Sequence, residues 1–216
     1  MSARLRSLAL LALATLAVAR AAQAQRFEGS ASVQQLTYRY KDDVGPDRLK
    51  GIFLGASAAV YLGAFRIGLS GFTGQLTGGT ALASRSLRAT TASVGLRPAP
   101  WIEVGLEAQA RREAIDTSIV LQRLGGVFSR LAVDLGTNGL QGTGELALFP
   151  IRSATNIDPL NVAMRAGVGV RYAPFGSPVT VELGYRLMRL DHKAPGTGAI
   201  RLEQDESLIL SLGLHK

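Results

Sequence analysis

The chain has 216 residues, with 24 lysines and arginines against 16 acids and a formal net charge of +8. It contains no cysteine, which excludes disulfides and thiolate metal sites. Its length suits one domain, and its basic residues do not gather into the clustered patch that nucleic acid requires.

The first segment is read as a targeting signal. Arg4 and Arg6 precede an apolar run from Leu8 to Ala19, and Ala22-Gln23-Ala24 fits the small-residue cleavage pattern. That run is too short to cross a bilayer as a helix. Export is therefore expected, with residues 1–24 removed and a single mature domain over 25–216. Loss of Arg4, Arg6 and Arg20 would lower the net charge to +5 (24 − 3 basic against 16 acidic).

From there the chain alternates. Leu160, Val162, Met164, Ala166, Val168, Val170 and Tyr172 occupy one parity, with Asn161, Arg165, Gly167, Gly169 and Arg171 among the residues between. The same period of two runs through Val179 to Leu187, Ile102 to Ala110 and Leu208 to Leu214. Such alternation predicts strands with one apolar face. Short turns rich in Gly, Pro and Asn-Gly sit at 62–64, 97–100, 136–139 and 173–177. Longer polar segments sit at about 42–50, 76–84, 112–126, 151–159 and 191–204, and short and long connections take turns. That layout predicts an all-β, closed, antiparallel up-and-down transmembrane barrel. Ten strands are expected, at about 29–41, 51–62, 64–75, 85–97, 101–111, 127–136, 140–149, 160–172, 178–190 and 205–215. The segment 117–127 reads either as a short loop helix or as the upper part of a strand, and eight strands is the alternative.

Three features turn the apolar face towards lipid rather than towards a soluble barrel's core. Strand lengths approach the 9–11 residues that cross a bilayer at a tilt. Aromatic residues Tyr61, Phe65, Trp101, Tyr172 and Phe175 gather by the short turns, where one membrane interface would lie. The polar face uses arginine and carboxylates, while the only lysines are Lys41, Lys50, Lys193 and Lys216. A guanidinium binds a carboxylate at two points, so a confined lumen favours arginine. Arg66, Glu103, Glu107, Arg111, Arg130, Asp134, Glu145, Arg165, Arg171, Glu182 and Arg186 are expected to form a structural charge network there. In a small barrel such a network fills the lumen.

The hairpins Ser93 to Leu106 and Val168 to Phe175, with the closing strand Ser207 to Leu214, resemble those of bacterial outer-membrane β-barrel proteins of the OmpA/OmpX/Opa-like kind. The resemblance covers the architecture of residues 25–216 and carries no functional motif. It implies residence in the bacterial outer membrane, contact with outer-membrane lipid, and insertion by the barrel assembly machinery through the C-terminal strand. Those families commonly end in an aromatic residue, where this chain has Leu214-His215-Lys216.

Chemistry is sparse. His192 and His215 are the two histidines. Asp191-His192 invites comparison with outer-membrane proteases of the omptin type. Strand neighbours point to opposite faces, however, and no second acidic pair is spaced to hold a water. His192 therefore reads as an exposed loop-edge residue. No His-x-Ser of the lipid A deacylase kind stands on any strand. Gly78-Gly79 lacks a phosphate-cradle context, and Asp42, Asp43, Gly45 and Asp47 lack calcium-loop spacing. No catalytic residue, cofactor, metal or nucleic-acid partner is expected. The leading expectation is a non-catalytic barrel with a structural role or with loops that bind an unknown ligand. The alternatives are a narrow channel, an outer-membrane hydrolase and a soluble periplasmic ligand-binding barrel.

Overall fold

A computed structural model describes residues 25–42, 45–79, 82–136, 139–174, 176–193 and 200–215. Residues 1–24, expected to be a signal peptide, and Phe175 lie outside them. Ten strands follow in chain order: β1 (Gln25–Asp42), β2 (Gly45–Leu62), β3 (Phe65–Leu76), β4 (Arg85–Ala99), β5 (Ile102–Ile115), β6 (Ser118–Asp134), β7 (Leu140–Thr155), β8 (Leu160–Tyr172), β9 (Val179–Lys193) and β10 (Ile200–His215). Each pairs antiparallel with its neighbours in sequence, and β1 pairs with β10 to close the barrel. The closed ten-strand form is the expected one, and the eight-strand alternative falls away. Closure leaves no ladder edge to satisfy, which is the condition for a sheet to cross lipid.

β1 begins and β10 ends at the same rim as the turns after β2, β4, β6 and β8, the rim that the pattern of short periplasmic turns assigns to the periplasm. From that periplasmic rim upwards, one face is apolar and outward. Leu54, Leu69, Val94, Leu106, Val168 and Leu210 are exposed there. Their neighbours Ser57, Ser70, Ser93, Glu107 and Arg165 face the lumen. An apolar exterior around a polar interior is the arrangement that a lipid solvent selects. The soluble alternative required the opposite faces.

Nearer the other rim this pattern inverts. Leu36, Tyr38, Leu49, Phe53, Leu76 and Leu87 pack together inside, with Tyr40, Phe72 and Leu82 against them. Across the lumen Leu124, Phe128, Phe149, Leu160, Met188 and Leu190 form a second cluster. The outward residues between them are Arg39, Arg48, Lys50, Arg88 and Arg123, all exposed. Above the apolar band the barrel is built as a soluble one, apolar within and charged without.

That inversion corrects several expectations. Within the segments expected as loops, residues 45–50, 112–115, 118–126, 151–155, 191–193 and 200–204 are strand, so strands run 12 to 18 residues. Segment 117–127 is the upper part of β6, joined to β5 by a turn at Asp116-Thr117 in which Asp116 has φ 50°. A short polar side chain tolerates that left-handed backbone.

Three register shifts also break the ladder among the described residues, one of them between Leu96 and Ala99 at the periplasmic end of β4. In β7 the pairing to β6 slips between Leu148 and Ile151, around Pro150. Proline has no N–H to give a ladder, and a closed barrel offers it no edge, so a bulge is where it fits. Opposite it, a Cβ on Gly126 would stand 1.9 Å from the Leu148 carbonyl oxygen, so only glycine allows this approach. In β8 a slip at Asn161 sends Leu160 into the lumen although Val162 faces out. The two share a parity and were expected on one face.

Among the interface aromatics, Phe65, Trp101 and Tyr172 face outward near the periplasmic rim, joined by Phe27. Tyr61 does not. It is buried, because its ring faces the lumen beneath two guanidinium groups.

Candidate functional site

The interior charges fall into two groups at different heights. The lower one is a zigzag of alternating sign that crosses from β3 to β9. Arg66 lies 3.6 Å from Glu103, and Glu103 lies 3.0 Å from Arg130. Arg130 is 3.9 Å from Glu107, which is 2.8 Å from Arg165. Arg165 in turn reaches Glu145 at 3.4 Å, and Glu145 accepts from Arg186. Each acid is shared by two arginines, a geometry that the forked guanidinium suits and an ammonium does not. Sharing matters energetically, because a buried charge stripped of its partner is costly.

Nearer the periplasmic mouth Arg171 and Glu182 pair at 2.8 Å. Tyr61 donates to Glu28 at 2.9 Å and accepts from Arg97 at 3.1 Å. Asp134, expected in the network, instead accepts from Gln141 at the exposed rim. Its strand has left the lumen by that position.

Arg111 belongs to the upper group. It binds Glu113 and Glu203 at 2.8 Å each, and Asp205 as well. Arg85 pairs with Glu113 at 3.1 Å and donates to the Tyr38 hydroxyl at 3.2 Å. Gln122 donates to Glu203 at 3.2 Å. His192 closes the group, with Nε2 3.0 Å from Glu203 and Nδ1 2.9 Å from the Asp158 carbonyl oxygen. The three carboxylates thus meet two guanidinium groups and one imidazole. His192 was expected to be exposed, but it is almost wholly buried. In this position it bonds Glu203 and the Asp158 carbonyl with its two ring nitrogens.

This ionic layer stands between the two apolar clusters and seals the upper half of the lumen. Arg85, Glu113, Gln122, His192, Glu203 and Asp205 were not anticipated. The available signal was the even spacing of Arg111 and Glu113, and of Glu203, Asp205 and Ser207, which carries the luminal parity upward past the apparent strand ends.

Below the seal the lumen is open. A cavity of about 300 Å³ lies at the periplasmic end, lined by Tyr61, Arg66, Arg130, Glu145, Arg171 and Glu182 among others. A deeper one of about 140 Å³ reaches Gln34, Gln109, Ser207 and Asp205, and the two share Ser30, Ser57, Ser70 and Arg186. Among the described residues no group of three or more His, Cys, Asp or Glu is placed to hold a metal ion.

No protein-family model and no curated protein matches the sequence. Solved structures do. The outer membrane protease OmpT from Escherichia coli is similar over 89% of this chain and 96% of that one, at 10% identity and a TM-score of 0.56. Neisserial surface protein A matches over 87% and 96%, at 14% identity and a TM-score of 0.42. The translocator domain of the autotransporter NalP from Neisseria meningitidis matches over 87% and 88%, at 11% and 0.43. At these identities the likeness to OmpT is one of fold. With the lipid-facing band and the closed antiparallel sheet, it gives this chain the fold of the bacterial outer-membrane β-barrels.

Proposed function

We propose that the protein is a non-catalytic outer-membrane barrel with a sealed lumen, which serves as a structural element and as a binding platform through its extracellular rim. The observation that carries this is the ionic layer around Arg111, held between two apolar clusters. A solute path would have to break several buried ion pairs at once, each of which leaves an unpaired charge. His192 supports the non-catalytic reading, since both ring nitrogens are engaged, by Glu203 and by the Asp158 carbonyl. Assembly is proposed to begin from β10, whose apolar face and pairing to β1 suit it to recognition by the insertion machinery.

The experiment is single-channel recording in planar bilayers with the purified barrel. No steps above baseline are expected. Sustained, reproducible conductance would favour the narrow channel instead.

A further inference from the structure

We propose that the outer face of β4, β5 and β6 carries a docking patch for the phosphorylated glycolipid of the outer leaflet, with Arg88, Arg112 and Arg123 holding its phosphates. In the ladder Arg88 stands directly opposite Arg112. Arg112 is opposite Leu121, which places Arg123 on the diagonal two residues away. All three are exposed on the outward face. Like charges directly opposite on antiparallel strands repel one another.

No acid among the described residues pairs with these arginines to offset that repulsion. None of the three has an ion-pair or hydrogen-bond partner among the described residues. The nearest acid along β5, Glu113, points into the lumen towards Arg85 and Arg111. Elsewhere on the rim several basic side chains are matched by the protein itself, although Arg48 and Lys50, exposed on the outward face of β2, have no such pair among the described residues. Arg39 pairs with Glu206, Arg189 with Asp191, and Arg201 with Asp158. The patch on β4–β6 is left for an anion from outside.

Its height says which anion. Ten residue steps along β5 separate Ile102, beside Trp101 at the periplasmic interface, from Arg112 (112 − 102). At about 3.3 Å per residue and a tilt of about 40°, that is about 25 Å, the height of a barrel's apolar band. The guanidinium groups therefore sit at the outer headgroup level, where the anionic groups are lipid phosphates. Each guanidinium fork can take two phosphate oxygens. Beneath and beside the patch Leu106, Ala108, Ala110, Val127 and Leu148 face outward, and Ile151 is 75% exposed. These give acyl chains an apolar surface directly below their phosphates, so one amphipathic molecule satisfies both halves of the site.

The test is native mass spectrometry of the protein extracted in mild detergent, titrated with diphosphorylated lipid A and with its dephosphorylated counterpart. The wild type is expected to retain the diphosphorylated lipid at least tenfold more tightly. Arg88→Ser, Arg112→Ser and Arg123→Ser together should abolish that preference, and the corresponding triple lysine variant should restore most of it. Equal retention of the two lipids by the wild type would overturn the proposal, as would an unchanged preference in the serine variant. Complete displacement by millimolar inorganic phosphate would assign the patch to free anions and overturn the lipid reading. Folding of each variant is checked by its heat-dependent gel mobility. Should the serine variant not fold, the wild-type preference between the two lipids decides alone.

Discussion

Arg111 is where a single side chain has the most to hold. It is fully buried against Glu113, Glu203 and Asp205, so its removal takes the ion-pair partner from Asp205 and leaves Glu113 to Arg85 and Glu203 to His192. Arg111→Met is expected to cost about 3–5 kcal/mol, the usual price of breaking a buried pair, read as a lower urea midpoint for unfolding from lipid vesicles. Arg111→Lys should recover little, because a compact ammonium cannot reach three acids in one plane. His192→Ala leaves the Glu203 carboxylate and the Asp158 carbonyl each short of a donor, and a loss of about 2–4 kcal/mol is expected in the same assay. Gly126→Ala tests backbone approach instead. Its methyl carbon would meet the Leu148 carbonyl at 1.9 Å, so β6 and β7 must separate at the bulge and the folded yield should fall.

At the scale of the strand, the inversion of polarity explains both what was legible and what was not. Within the apolar band the period of two is clean, as in Val179 to Leu187, and those spans were readable. Above the band β6 carries Ile119 and Leu121 outward but Val120 and Leu124 inward, so both parities hold apolar residues and the alternation disappears. Leu160 shows the same blindness at a bulge, where one extra residue moves an apolar side chain from lipid to lumen. The chain has no native cysteine to interfere with a labelling test. Arg123→Cys should react on intact cells with a membrane-impermeant maleimide, and Gln122→Cys should stay unlabelled until the barrel is boiled. Reaction at residue 122 alone would place β6 with its faces reversed.

For the whole molecule, the solvent changes with height, and the strands follow it. Lipid surrounds the lower barrel, so a charge on that face is costly at mid-depth. Leu210→Arg, on the outward face of β10, is expected to cost about 2–4 kcal/mol by reversible unfolding in vesicles, whereas Ser211→Arg, one residue on and facing the lumen, should cost much less. The sequence alone determined the barrel and the lipid-facing parity, because each rests on local alternation and on turn residues that act within a few positions, whereas the choice of ten strands over eight came only with the closed structure. It also pointed to most members of the lower charge network, since Arg66, Glu103, Glu107, Arg130, Glu145, Arg165 and Arg186 stand on clean luminal parity. It could not show which charges meet, because partners such as Arg111 and Asp205 lie 94 residues apart and are joined only when β1 closes on β10. Nor could it show the seal or the outward arginine patch. Both arise where strands continue beyond the membrane, and there the side of the sheet that faces water is set by the closed barrel and its surroundings rather than by any one strand.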